Sequence, residues 1–158
     1  MRFATALTLA TLAAFAATPA SAMEANQTIE REVSVTQPDG SVLIAREPAD
    51  LVKPGDALVY TLDFVNTEAE AVTGINMAMP VPAEVRFVEA IDALADSTVS
   101  YSADGGQTYG DMAALQVSAE DGTLRPASAD DITHVRWTID RAIEVGEQGM
   151  VAFRGQLR

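Results

Sequence analysis

Leu51-Val-Lys-Pro-Gly-Asp-Ala-Leu-Val-Tyr-Thr-Leu-Asp-Phe-Val-Asn66 is the stretch whose reading decides the fold. Pro54 fixes its own φ and Gly55 tolerates a positive one, so the pair sets a tight turn at the start. The residues after the turn alternate with a two-residue period. Leu58, Tyr60, Leu62 and Phe64 fall on one face, and Val59, Thr61, Asp63 and Val65 on the other. Alternate side chains of a strand point to opposite sides of a sheet, so the first set is expected in a core.

The same grammar continues on both sides of this stretch. Asn26 to Thr36 alternates, Pro38-Asp39-Gly40 is a turn signal, and Ser41 to Glu47 resumes an extended apolar run, which together predict a hairpin. Val72 to Met79 reads as a strand stopped by Pro80 and Pro82, since proline gives no donor to a ladder. Val85 to Ile91 places Val85, Phe87 and Glu89 on one face, and Ala90 to Asp96 carries a helical turn. Further strands are expected at Thr98 to Ser102, around Leu115 to Val117, at Ile132 to Ile139 and at Met150 to Leu157. Turn signals at Asp104-Gly105-Gly106, Glu120-Asp121-Gly122 and Gly146 separate them. Turns every 8–12 residues or so, with no long amphipathic helix, predict an all-β fold. The expectation is a single immunoglobulin-like antiparallel β-sandwich of about seven to nine strands.

The first 22 residues read as a cleaved signal peptide. Met1-Arg2 gives a positive end, Phe3 to Ala17 is apolar or small, and Ala20-Ser21-Ala22 is the small-x-small cleavage pattern. The apolar run falls short of the roughly 20 residues that span a bilayer as a helix. Residues 23–158 are then one exported domain, large enough to need no disulfides, in line with the absence of cysteine. Loss of Arg2 takes the formal net charge from −13 to −14. A field of that sign repels phosphate backbones and anionic lipid surfaces. Neither nucleic acid nor membrane insertion is expected, and the protein is read as soluble, in the periplasm or outside the cell.

Three segments carry a resemblance. Val52 to Asn66 resembles a family's "Pro-Gly-Asp, then Tyr, then Asn" strand, and Pro82 before Val85-Arg86-Phe87-Val88 its "proline, then extended strand". Ile132-Thr-His-Val-Arg-Trp137, Gly146 and Gly149-Met-Val-Ala-Phe153 are similar to its last two strands. The family is the bacterial surface and secreted repeat domain catalogued as domain of unknown function 11. The resemblance covers roughly Leu51 to Arg158 and implies an immunoglobulin-like sandwich. Family members often place an Asp before the mid-domain proline where this chain has Met79, so nothing resting on that carboxylate carries over.

Chemistry has a few candidate positions. Lys53, the single lysine, with Asn66 and Asp63 (or Asn76 and Glu89) matches the residue types of an intramolecular isopeptide bond, which needs a neutral, buried amine beside a carboxylate. Asp104, Glu120, Asp121, Asp130 and Asp131 offer oxygen ligands for Ca²⁺ without EF-hand spacing. Met77, Met79, Met112 and Met150 with His134 are soft-metal ligand types, although Met77 and Met79 alternate as core residues. Ser102 to Tyr109 is similar to the Asp-box hairpin of sialidase-like propellers, where the motif is structural. Tyr60, Tyr101, Tyr109 and Trp137 are the candidates for a sugar-stacking platform, while the phase of Trp137 with Val135 and Ile139 places it in a core.

A single histidine, no cysteine and no nucleophile motif point away from an enzyme, and no cofactor is called for. The expectation is a non-enzymatic binding or assembly domain of the bacterial envelope or extracellular space. Its partner would be another envelope or secreted protein, met through an edge strand or sheet face. The alternatives are a small periplasmic metal- or glycan-binding module and an isopeptide-stabilised adhesin domain.

Overall fold

The computed structural model describes residues 23–91, 94 and 96–158. The expected leader lies outside them, as do Asp92, Ala93 and Ala95 of the helical turn read at Ala90 to Asp96, whose first two residues instead finish a strand. The strands are β1 (Glu24–Thr36), β2 (Val42–Pro48), β3 (Ala57–Val65), β4 (Ile75–Pro80), β5 (Val85–Ile91), β6 (Ser97–Ser102), β7 (Gln116–Ser118), β8 (Leu124–Pro126), β9 (His134–Ile139) and β10 (Gln148–Leu157). All pairings are antiparallel. One sheet runs β2-β1-β3-β10-β5, a second runs β4-β9-β6, and β7-β8 is a small separate hairpin. The two larger sheets pack together as a β-sandwich of eight strands, as the turn spacing predicts.

The opening stretch sits at the centre. Gly55 has φ 95°, and its amide donates to the Leu157 carbonyl at 2.8 Å, so the Pro54-Gly55 turn also fastens the end of β10. Leu58, Tyr60 and Phe64 are buried between the sheets and meet Val151 and Phe153 from β10, Phe87 from β5 and Met77, Met79, Val135, Trp137 and Ile139 from the smaller sheet. Tyr60 stacks on Phe153 at 4.7 Å between ring centroids, and Phe87 meets Tyr101 edge-on at 5.3 Å. Each such side chain contributes about 1.5–3 kcal/mol by leaving water. Trp137 is wholly buried, as its phase predicts, although its indole N–H has no hydrogen-bond partner.

Three details depart from simple alternation. The β5–β10 register shifts between Arg154 and Gly155, so that Glu89 faces Arg154 and Phe87 faces Gly155. The bulge at Val88 takes Glu89 off the core face that Val85 and Phe87 share and pairs it with Arg154. Pairing at the end of β4 also outlasts the first proline, because Pro80 opposes His134 and the Val81 amide donates to Thr133 at 2.8 Å. Finally, the first hairpin forms as expected but outruns the sandwich. β3 pairs with β1 only as far as Arg31, while β1 and β2 pair on to Thr36 and Val42. Beyond Arg31 the hairpin is a two-stranded ribbon, with no third strand beside it among the described residues.

Candidate functional site

The structure does not bring the isopeptide set together. Lys53 and Asn66 flank β3 at opposite ends, separated by its nine residues, about 30 Å of strand. Lys53 is exposed and its amide donates to Asp56. Asp63 lies on the outward face of β3, between Asn26 and Met150. Asn66 is fully buried and its carboxamide is already used. Its Nδ2 donates to the Ile143 carbonyl at 2.8 Å and to the Glu70 carbonyl at 3.1 Å, while Oδ1 accepts from the Glu68 amide at 2.9 Å. Its main chain pairs with Gly146 and Glu147. One side chain thus ties the β3–β4 connection to the β9–β10 connection.

Three of the loop carboxylates, Asp104, Asp121 and Asp131, are engaged within their own loops, and Asp130 faces arginines from elsewhere in the fold. Asp104 accepts from Thr108 Oγ1 at 2.6 Å, from Ser102 Oγ at 2.7 Å and from the Gln107 and Thr108 amides, which makes the Asp-box hairpin. Those bonds, Thr108's first, hold its carboxyl far below the usual carboxylate range. Asp131 takes a two-pronged ion pair from Arg125, both contacts 2.7 Å, and caps a single 3-10 turn through the Ser128 amide and hydroxyl. Arg125 likewise holds it far below its ordinary value. Asp121 accepts from Thr123, and Asp130 faces Arg86 at 3.5 Å and Arg158 at 3.4 Å. Among the described residues no three acidic or histidine side chains are placed to hold a metal ion.

A pH dependence arises from these bonds. Asp104 and Asp131 have native pKa values depressed below the ~3.9 of an unfolded aspartate. Their contribution is therefore present above that pH and lost as pH falls through the native values. In a carboxyl-carbon NMR titration both are expected to remain ionised well below pH ~3.9. Ordinary midpoints for the two would remove the assigned bonds.

The soft ligands and the aromatic residues are also dispersed. Met77 and Met79 are core, Met150 is on the outward face of the larger sheet, and His134 Nδ1 lies 3.3 Å from Thr133 Oγ1. Tyr60 is buried, and Tyr109 lies beneath the Arg136 guanidinium at 4.1 Å, so the four aromatic rings form no common platform.

Among the described residues, the β1–β2 hairpin carries several exposed apolar side chains on neighbouring positions. Val42, Leu43 and Ile44 are 59%, 55% and 61% exposed, and Ile29 and Val35 are 43% and 40% exposed. The faces can be assigned from register. Ile29, Arg31, Val33 and Val35 continue the core-side row and oppose Ala49, Glu47, Ala45 and Leu43, whereas Val42 and Ile44 lie on the outward side with Arg46. In this row Val35 and Leu43 are exposed, Val33 and Ala45 are half-buried, and Ala49 packs against the core. Between Val33 and Ala45 the only charge is Asp39. The sequence did carry a signal for this: Val42-Leu43-Ile44-Ala45 is apolar on both faces of one strand, the pattern of two-sided burial.

The edge of β2 is equally well defined. The Gln37 amide donates to Ser41 and the Ala49 amide to Ile29, which fixes the odd-numbered residues of β2 as those bonded to β1. The N–H and C=O groups of Val42, Ile44 and Arg46 therefore point away from β1, on the side where the sheet ends. Pro48 ends the row, having only a carbonyl to offer. No known family, curated protein or solved structure matches the chain.

Proposed function

We propose that this protein is an exported, non-enzymatic binding or assembly domain of the bacterial envelope or extracellular space, and that it joins another chain through the β1–β2 ribbon. The observation that carries the reading is the ribbon with exposed apolar side chains and an unpaired edge at Val42, Ile44 and Arg46. Exposed strand edges pair with other chains unless charge, proline or a cover prevents it, and added strands are a standard mode of recognition. The leader-like first 22 residues and the resemblance to the secreted repeat domain of unknown function 11 support the location. None of the described helices is long and apolar enough to cross a membrane. The bonds that already engage Asp104, Asp121 and Asp131, and the arginines facing Asp130, weigh against the metal-binding alternative.

The test is photocrosslinking in producing cells, with p-benzoylphenylalanine in place of Ile44 and, as control, in place of Leu124 on β8. Adducts that form from position 44 and not from position 124 support the reading. Absence of any adduct at position 44 overturns it.

A further inference from the structure

We infer that the chain joined through the ribbon is a second copy of this one, paired β2 to β2 across a two-fold axis; the inference rests on the proposed binding role. Two observations favour a self-partner. The first is the register the edge permits. Two antiparallel β2 strands related by a two-fold axis can be centred on Ile44, which then exchanges both main-chain bonds with its own copy. Val42 opposes Arg46 of the second copy, and Arg46 opposes its Val42. All three residues point their N–H and C=O groups outward, so about six ladder bonds form with no donor or acceptor left over between Val42 and Arg46. Pro48, lacking an N–H, stops the ladder just beyond.

The second observation is charge. A chain with a formal charge of −13 repels its own copies over most of its surface. The ribbon is the exception. Arg31 pairs with Glu47 at 3.2 Å and Arg46 lies 3.9 Å from Glu32, which leaves Asp39 at the tip as the ribbon's free charge from Val33 to Ala45. A partner selected by electrostatic attraction would meet an acidic face; the ribbon instead presents the surface on which two acidic copies repel least.

In the pair the five-stranded sheets of the two copies run on into one, Ile44 lies against its own copy on the outward side, and Leu43 meets Ala45 of the second copy on the core side.

Two experiments decide. The protein has no cysteine, so in Ile44→Cys every thiol crosslink reports this position alone. Treatment with a short bismaleimide is expected to give a dimer of that variant in high yield. Val88→Cys, exposed on the opposite edge strand β5, is expected to stay monomeric. Sedimentation equilibrium of the native protein is expected to show a concentration-dependent dimer. Ile44→Lys, which sets two ammonium groups face to face on the axis, weakens it at least 100-fold with an unchanged circular dichroism spectrum. A native protein that stays monomeric with no crosslink of Ile44→Cys overturns the self-pairing. The mass of the adduct at position 44 in cells then separates the two ideas. Twice the chain mass supports both; a different added mass keeps the binding role and overturns self-pairing; no adduct overturns both.

Discussion

Asn66→Ala is expected to destabilise the protein by about 3–4 kcal/mol, read as a lower urea midpoint at unchanged slope. The side chain is fully buried, and its loss leaves the buried Ile143 carbonyl and the half-buried Glu70 carbonyl and Glu68 amide without their partner. Asn66→Asp, though nearly the same size, is expected to do more damage at pH 7. It replaces a donor aimed at two carbonyl oxygens by an acceptor carrying charge. Burial and those oxygens raise the new carboxyl's native pKa above the unfolded value of ~3.9. The excess cost over Asn66→Ala is therefore present at neutral pH and shrinks as the solution is acidified and the proton that restores one donor returns. An Asn66→Asp variant as stable as the native protein at pH 7 would show that the carboxamide is not the tie between the two connections.

Gly149→Ala is expected to cost about 2–3 kcal/mol, a large effect for one added methyl. A Cβ at this position in β10 would stand 2.2 Å from Phe64 Cζ and 2.6 Å from Leu94 Cδ1, so the core must open or the strand must shift. Gly146 in the preceding turn is the control. Its φ of 75° disfavours a side chain, but nothing lies within 4 Å, so Gly146→Ala should cost only about 1–2 kcal/mol. Phe64→Leu in the Gly149→Ala background is expected to recover part of the loss, because it removes the atoms the methyl meets; strict additivity of the two changes would rule out that contact.

Residues 51–66 announced their strand, its turn and its core face, because period-two alternation and a Pro-Gly pair act locally. The Val88 bulge was not readable, since alternation at Val85, Phe87 and Glu89 is unbroken in sequence and only the register against β10 shows the extra residue. Nor does Asn66 declare its burial. An asparagine after a strand reads as loop polarity, and the carbonyls it serves lie as far away as Ile143. The carboxylates chosen as ligands illustrate the opposite error: composition shows acidic loops, but whether a carboxylate is free depends on neighbours such as Thr108 and Arg125. The ribbon was visible as a hairpin, while its exposure depends on tertiary packing, which no local pattern records.

The position of β10 between β3 and β5 has a consequence in time. A strand made late is the one that joins two parts of the larger sheet made much earlier. While a chain is still being threaded from its N-terminus, β1, β2 and β3 can pair with one another, but β5 has no neighbour in its own sheet until residues 148–157 arrive. Completion of the larger sheet therefore waits for those residues. The last strand of the chain is thus the one on which the larger sheet closes.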